Sequence, residues 1–227
     1  GTRVIFPAEQ REVVVRLENK GDRPALVQSC LDTGNPHSTP STTQTPFTLS
    51  PPIFRIEPHQ QQALRLRYSG EPAPADRESL YWLNVLEVPP RTANTEQNNQ
   101  IELAFRTRVR VFLRPDALPY PVSSAPSKLQ WALVAHEQGY ALQATNPTPY
   151  HISLTSVDLL SGGKRFSKAA NKDANDGLLM PAGDIKLFAL PLLRSRPNDV
   201  AEVEFTSVSD FGARVRHSAP LAPPAAR

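Results

Sequence analysis

The sequence predicts an all-β chain, and three observations carry that prediction. Apolar residues recur at period two in one segment after another, the spacing of side chains that alternate between two faces of a strand. Proline numbers 24 in 227 residues and glycine only 10, about twice the usual proline frequency. Proline suits edge strands, loops and linkers and opposes long helices. No stretch carries a sustained 3.6-residue repeat with a cap at each end. The length suits two domains of ordinary size or one large one. Hydrophobic residues make up 39% of the chain, enough for a real core.

The strand signals run in order. Residues 11–19 (REVVVRLEN) place Val13, Val15 and Leu17 on one face. Residues 25–31 form an apolar run, and residues 39–46 are a Ser/Thr/Pro loop. Residues 47–56 are strand-like but broken by Pro51-Pro52. Residues 62–68 put Leu64, Leu66 and Tyr68 on one side, and residues 79–88 (SLYWLNVLEV) are dense in large apolar side chains. After Pro89-Pro90 and a polar loop at 91–99 comes the longest signal, residues 99–114 (NQIELAFRTRVRVFLR). Its odd positions are Ile101, Leu103, Phe105, Thr107, Val109, Val111 and Leu113; its even positions are mostly charged. It is longer than a typical strand of five or six residues. A strand this long and this sharply two-faced can serve a core at one end and offer apolar side chains to a partner at the other. Seven short strands with turn signals between them fit an immunoglobulin-like sandwich.

Pro115, Pro119 and Pro121 mark a boundary, since linkers are often proline-rich. The expected organisation is a first domain over 1–116, a linker over 117–121 and a second β-sandwich over 122–227. The second domain's strand signals lie at 129–133, 140–145, 151–159, 185–190, 200–205 and 214–217, and residues 220–227 read as a frayed tail. Ser161-Gly162-Gly163-Lys164 reads as a hairpin turn rather than a phosphate loop, because the first glycine of that motif is absent.

The formal charge is +3, with acidic and basic residues interspersed and no basic block. That describes a solvated mixed-charge surface, not a nucleic-acid footprint. The one cysteine, Cys30, excludes an intrachain disulfide and any multi-cysteine metal site, and reads as a small buried hydrophobe. No apolar stretch is long enough to span a bilayer as a helix. The chain opens on Gly1-Thr2-Arg3, which fits one whose targeting segment has been removed or trimmed. The five histidines are scattered without ligand spacing, and no Gly-x-Ser-x-Gly elbow occurs. Asp173-Ala174-Asn175-Asp176-Gly177 resembles a calcium loop, but positions one and twelve would be Lys172 and Gly183, so the ligand set fails. The expectation is a protein that is not an enzyme and holds no metal or cofactor.

Several pieces together resemble the periplasmic chaperones of the chaperone–usher pathway, the PapD-like family. They are Gly1-Thr2-Arg3-Val4-Ile5-Phe6, Pro51-Pro52 with Phe54-Arg55, Asp76-Arg77-Glu78-Ser79-Leu80-Tyr81-Trp82-Leu83-Asn84, and Val88-Pro89-Pro90-Arg91. To these add Val109-Arg110-Val111-Phe112-Leu113-Arg114-Pro115, Asn146-Pro147-Thr148-Pro149-Tyr150 and Asp210-Phe211-Gly212. The resemblance spans nearly the whole chain. It implies two immunoglobulin-like domains in an L, or boomerang, with a cleft between them, working in the periplasm. It implies pilus or fimbrial subunits and an outer-membrane usher as partners, with no nucleic acid and no membrane insertion. A subunit is an incomplete sandwich, and the chaperone lends part of its long strand to complete it.

On this chain the resemblance assigns Ile101, Leu103 and Phe105 as donor side chains, in agreement with the alternation. Each large side chain buried contributes about 1.5–3 kcal/mol. It assigns Arg3 and Arg110 as the pair gripping the subunit's C-terminal carboxylate. Family members commonly carry lysine at the second place; arginine's planar fork also suits a carboxylate. Arg106 and Arg108 share Arg110's face, and only the resemblance selects among the three. Glu78, Arg114 and Asp210 match positions of a salt-bridge network between domains. An exposed donor strand can also self-pair between copies, so a self-capping homodimer is a further expectation. The competing reading is a two-domain immunoglobulin-like adhesion or ligand-binding module. It needs an exposed aromatic site, and Trp82 and Trp131 both sit in apolar runs that read as core.

Overall fold

A computed structural model describes residues 3–88, 103–137, 139–169 and 178–222. The chain divides into two compact units: Thr2–Pro74 with Ser79–Asp116, and Ala75–Glu78 with Ala117–Arg227. Each unit is a sandwich of β-sheets with its own core, so the all-β expectation holds for both.

The first unit contains β1 (Arg3–Pro7), β2 (Glu12–Glu18), β3 (Ala25–Asp32), β4 (Phe47–Ser50), β5 (Ile53–Ile56), β6 (Gln61–Tyr68), β7 (Ser79–Val88) and β8 (Phe105–Arg114). One sheet runs β1-β8-β7-β3-β5 and the other β2-β6-β4. Pro51-Pro52 does more than interrupt a strand. β4 pairs with β6 in one sheet and β5 with β3 in the other, so the chain changes sheets at the prolines, which have no N–H to continue a ladder. The strand absent from the sequence reading is β1. It is short, and it forms because it lies parallel to β8, a non-local pairing that local pattern does not reveal. Between the sheets pack Phe6, Leu31, Phe47, Leu64, Leu66, Leu83, Val111 and Leu113. Phe47 meets Phe6 and Tyr81 edge-on at ring-centroid distances of 5.2 and 5.0 Å.

The second unit contains β9 (Gln130–His136), β10 (Gly139–Thr145), β11 (Ile152–Ser161), β12 (Lys164–Ser167), β13 (Leu179–Met180), β14 (Ile185–Leu190), β15 (Ala201–Val208) and β16 (Arg214–Pro220). One sheet is β14-β10-β9; the other is β12-β11-β15-β16, with β13 also on β11. Trp131 and Phe205, 5.1 Å apart, lie at the centre of the core with Leu142, Leu159, Met180, Leu190 and Val203. Gly162 and Gly163 join β11 to β12 as a two-residue hairpin, both at positive φ (55° and 71°), the backbone that glycine adopts without steric cost.

Two local expectations are corrected. The tail does not begin at residue 220: β16 continues to Pro220, which stands opposite Glu202, and the Ala222 N–H donates to the Trp131 carbonyl at 2.6 Å. Cys30 is not fully buried. It alternates to the outer side of β3 and borders an open cavity of 710 Å³ together with Ser29, Leu31 and Phe47. Desolvation still raises its thiol pKa above the ordinary value. The calcium-like segment 173–177 lies outside the described residues.

Candidate functional site

The site is built on β8. It pairs antiparallel with β7 over 105–113, from Glu87↔Phe105 to Ser79↔Leu113. On its other edge β1 covers only the second half, from Arg3↔Arg110 to Pro7↔Arg114. Among the described residues no strand pairs with that edge over 105–109. Residues 99–102 of the sequence pattern lie outside the described residues, and among those described the strand starts later than the pattern suggested. It begins at Phe105, because β7's ladder with it ends there; Leu103 and Ala104 lie outside any ladder, and Ile101 is outside the described residues.

One parity of β8 therefore runs from inside to outside. Val111 and Leu113 are 0% and 1% exposed in the core, while Leu103 and Phe105 are 60% and 62% exposed. The same alternation serves two environments because the second sheet of the unit covers only one end of the stripe. Among the described residues the result is a stretch of strand edge without a paired strand beside exposed large apolar side chains, a ready template for strand addition.

The opposite parity is not the solvated charged face that alternation suggested. Arg108 is 8% exposed in its side chain, and its Nη2 donates to both carboxylate oxygens of Asp32 at 2.9 and 3.2 Å. Asp32 is fully buried and also accepts from Asn84 Nδ2 at 2.5 Å and from the Gly34 N–H at 2.6 Å. Arg106 donates to Asn84 Oδ1 and, at 2.7 and 3.0 Å, to the carbonyls of Pro36 and Ser38. The reason is tertiary: the loop after β3 folds over this face and supplies acceptors. Phe112 on the same parity is buried too. Arg106 and Arg108 are thus each engaged within the chain. Arg110 stands directly opposite Arg3 in the parallel ladder, opposite Trp82 in the antiparallel one, and Trp82 stands opposite Asp32. One row across four strands reads Arg3, Arg110, Trp82, Asp32. The guanidinium carbons of Arg108 and Arg110 lie over the Trp82 ring, 4.5 and 5.1 Å from its centroid. Arg3 and Arg110 thus stand at directly opposed positions of two adjacent strands.

Glu78 belongs to the second unit. Its carboxylate, 1% exposed, accepts the His151 backbone N–H at 2.8 Å and lies 3.5 Å from His151 Nδ1, while its own N–H donates to the Pro149 carbonyl at 2.9 Å. Asp210 also lies in the second unit, just after β15, and Arg114 ends β8 in the first, where its carbonyl accepts the Ala8 N–H at 2.8 Å. Sequence reasoning missed Asp32 and Asn84. Their signal was present: a polar residue at the end of one apolar run and another in the middle of a second. Trp82 and Trp131 are 4% and 1% exposed, so neither provides the aromatic platform that an adhesion module needs. Among the described residues no group of three or more His, Cys, Asp or Glu side chains gathers at metal-binding distance.

Two immunoglobulin-like sandwiches, the first with a long strand whose outer edge is half covered among the described residues and with two arginines in register beside it, define the class of two-domain immunoglobulin-like proteins. Two family models cover nearly all of the chain: the PapD N-terminal domain of pili and flagellar-assembly chaperones over residues 1–119, and the PapD C-terminal domain of pili-assembly chaperones over 124–219. The chain belongs to this family of pilus-assembly chaperones. It is 41% identical over 224 residues to the probable fimbrial chaperone YadV of Escherichia coli K12, covering 97% of this chain and 88% of that protein. It is 33% identical over 226 residues to the chaperone protein FimB/FhaD of Bordetella pertussis, covering 98% and 86%. The crystal structure of the YadV chaperone superposes with a TM-score of 0.81 at 39% identity over 97% of both chains. The SafB chaperone, solved in complex with the Salmonella enterica SafA pilin, gives 0.74 at 26% identity over 97% of this chain and 93% of that one.

Proposed function

We propose that this chain is a periplasmic chaperone that binds, folds and caps pilus subunits by donor-strand complementation and hands them to an outer-membrane usher, without catalysing a reaction. Its domains are taken as 1–116 and 122–227, joined by 117–121. The observation that carries the reading is that, among the described residues, β1 covers only half of the outer edge of β8, with Leu103 and Phe105 exposed at the other half. Strand addition is an established recognition mode, and chaperone–pilin complementation is one of its named examples: main-chain hydrogen bonds supply affinity, and alternate side chains fill pockets. Ile101, Leu103 and Phe105 are the side chains assigned to the subunit's groove. Arg3 and Arg110, adjacent in the ladder, are assigned to its C-terminal carboxylate, where a charge-assisted hydrogen bond contributes about 1.5–3 kcal/mol. Glu78, Arg114 and Asp210 are assigned a structural role. The same exposed edge supports self-capping by a second copy when no subunit is present.

The test is co-expression with a pilus subunit in the periplasm, followed by affinity recovery. Arg3→Ala and Arg110→Ala are expected to fold normally and lose nearly all recovered subunit. Full recovery with both variants would remove the anchor assignment.

A further inference from the structure

We infer that Trp82 is a positioning residue for the arginine pair: its indole holds the Arg110 guanidinium beside Arg3, and the buried Asp32–Arg108 ion pair braces the same ring. This rests on the reading of Arg3 and Arg110 as a carboxylate anchor and adds to it the groups that orient the anchor.

Three observations lead there. First, Trp82 is a buried hydrophobic residue, 4% exposed, yet it is not one of the residues clustered between the sheets of either unit. Its neighbour Leu83 points into the core, so Trp82 points to the other side of the sheet. Second, its ring faces two cations. Arg108 and Arg110 both lie within the distance at which the ring's negative face attracts a guanidinium. Third, the ladder and the ion pair give the two arginines different places in the row. Arg108 is fixed by both oxygens of Asp32, whose carboxylate is held in turn by Asn84 and the Gly34 N–H. Arg108 is therefore a brace. Arg110 is the stacked arginine that stands in register with Arg3.

The physical need is clear. Arginine has a long side chain with much rotamer freedom. Two guanidiniums on adjacent strands repel and tend to splay apart. A forked grip on a planar carboxylate requires the opposite, two donors held close in a set orientation. Stacking on the indole orders Arg110 before the ligand arrives, so less freedom is lost on capture.

The experiment uses the full chain and two probes: a synthetic peptide of alternating valine and threonine ending in phenylalanine, made with a free C-terminal carboxylate and as the C-terminal amide. Calorimetric titration gives the ratio of the two affinities, which isolates recognition of the carboxylate from strand pairing. The wild type is expected to prefer the carboxylate by about tenfold or more. Trp82→Leu should cut that ratio about fivefold while leaving amide binding in place, and Trp82→Tyr, which keeps a cation-binding ring, should restore most of it. Asp32→Asn, the same size without the charge, should also lower the ratio, and it decides the matter if Trp82→Leu does not fold. A ratio unchanged in folded Trp82→Leu or Asp32→Asn, or affinity lost equally for both peptides, overturns the positioning role. Arg110→Ala separates the two readings. If it keeps the ratio, or if the wild type shows no carboxylate preference, the anchor itself is wrong. If it abolishes the ratio while Trp82→Leu does not, only the inference about Trp82 falls.

Discussion

Asn146 shows how much one side chain can organise. It is fully buried, and its amide nitrogen donates to the carbonyls of Tyr150, Met180 and Pro181 at 2.8, 3.2 and 2.8 Å. Its oxygen accepts from the Thr148 N–H and hydroxyl at 3.1 and 2.7 Å. Asn146→Ala removes all five bonds and takes from the buried Thr148 N–H the acceptor it has here, a loss of about 1–3 kcal/mol for that group alone. A loss of about 3 kcal/mol or more from the second unit is expected, read by denaturant unfolding of that unit. His217 stacks on Phe205 at 4.9 Å and its Nε2 lies 2.8 Å from Ser207 Oγ. Burial lowers its pKa below the ordinary imidazole value of 6.5. Between the lowered value and 6.5 the unfolded chain binds more protons than the folded one. The contribution to stability is therefore complete above 6.5 and is lost as pH falls through the lowered value. His217→Phe should flatten that part of the melting-temperature profile below pH 6.5; a profile identical to wild type would remove His217 as its source.

At the scale of an element, β8 carries two jobs on one alternation. Leu113→Ala removes a core side chain and should cost about 2–5 kcal/mol in unfolding free energy. Phe105→Asp, on the same parity but 62% exposed, should change stability by no more than about 0.5 kcal/mol while subunit recovery in the co-expression assay collapses. A Phe105→Asp protein that unfolds easily would mean the residue serves this chain's own core. The alternation was legible from the sequence because period two is a local property. Which end of the stripe is covered was not legible, since that depends on where β1 and the second sheet stop. The same limit explains Arg106, Arg108 and Arg110. Pattern put all three on one face and gave no reason to distinguish them, whereas Asp32, Asn84 and the loop carbonyls that engage two of them come from β3, β7 and the chain after β3.

For the molecule as a whole, the exposed edge predicts concentration-dependent self-association. Light scattering across a range of concentrations should report growth toward a dimer in the wild type and a monomer for Phe105→Asp. A wild type that stays monomeric at the highest concentration reached would rule out self-capping. The sequence by itself determined the all-β class, the hairpin at Gly162-Gly163 and the two-faced character of the long strand. All of these follow from local rules of alternation and backbone freedom that each segment carries within itself. Only the tertiary structure decided that β1 pairs with half of β8, that the chain changes sheets at Pro51-Pro52, and that Arg3, Arg110, Trp82 and Asp32 form one row. Those are pairings between residues distant in sequence, selected by which combination of ladders and cores buries apolar surface and satisfies buried polar groups, and no single segment holds that information.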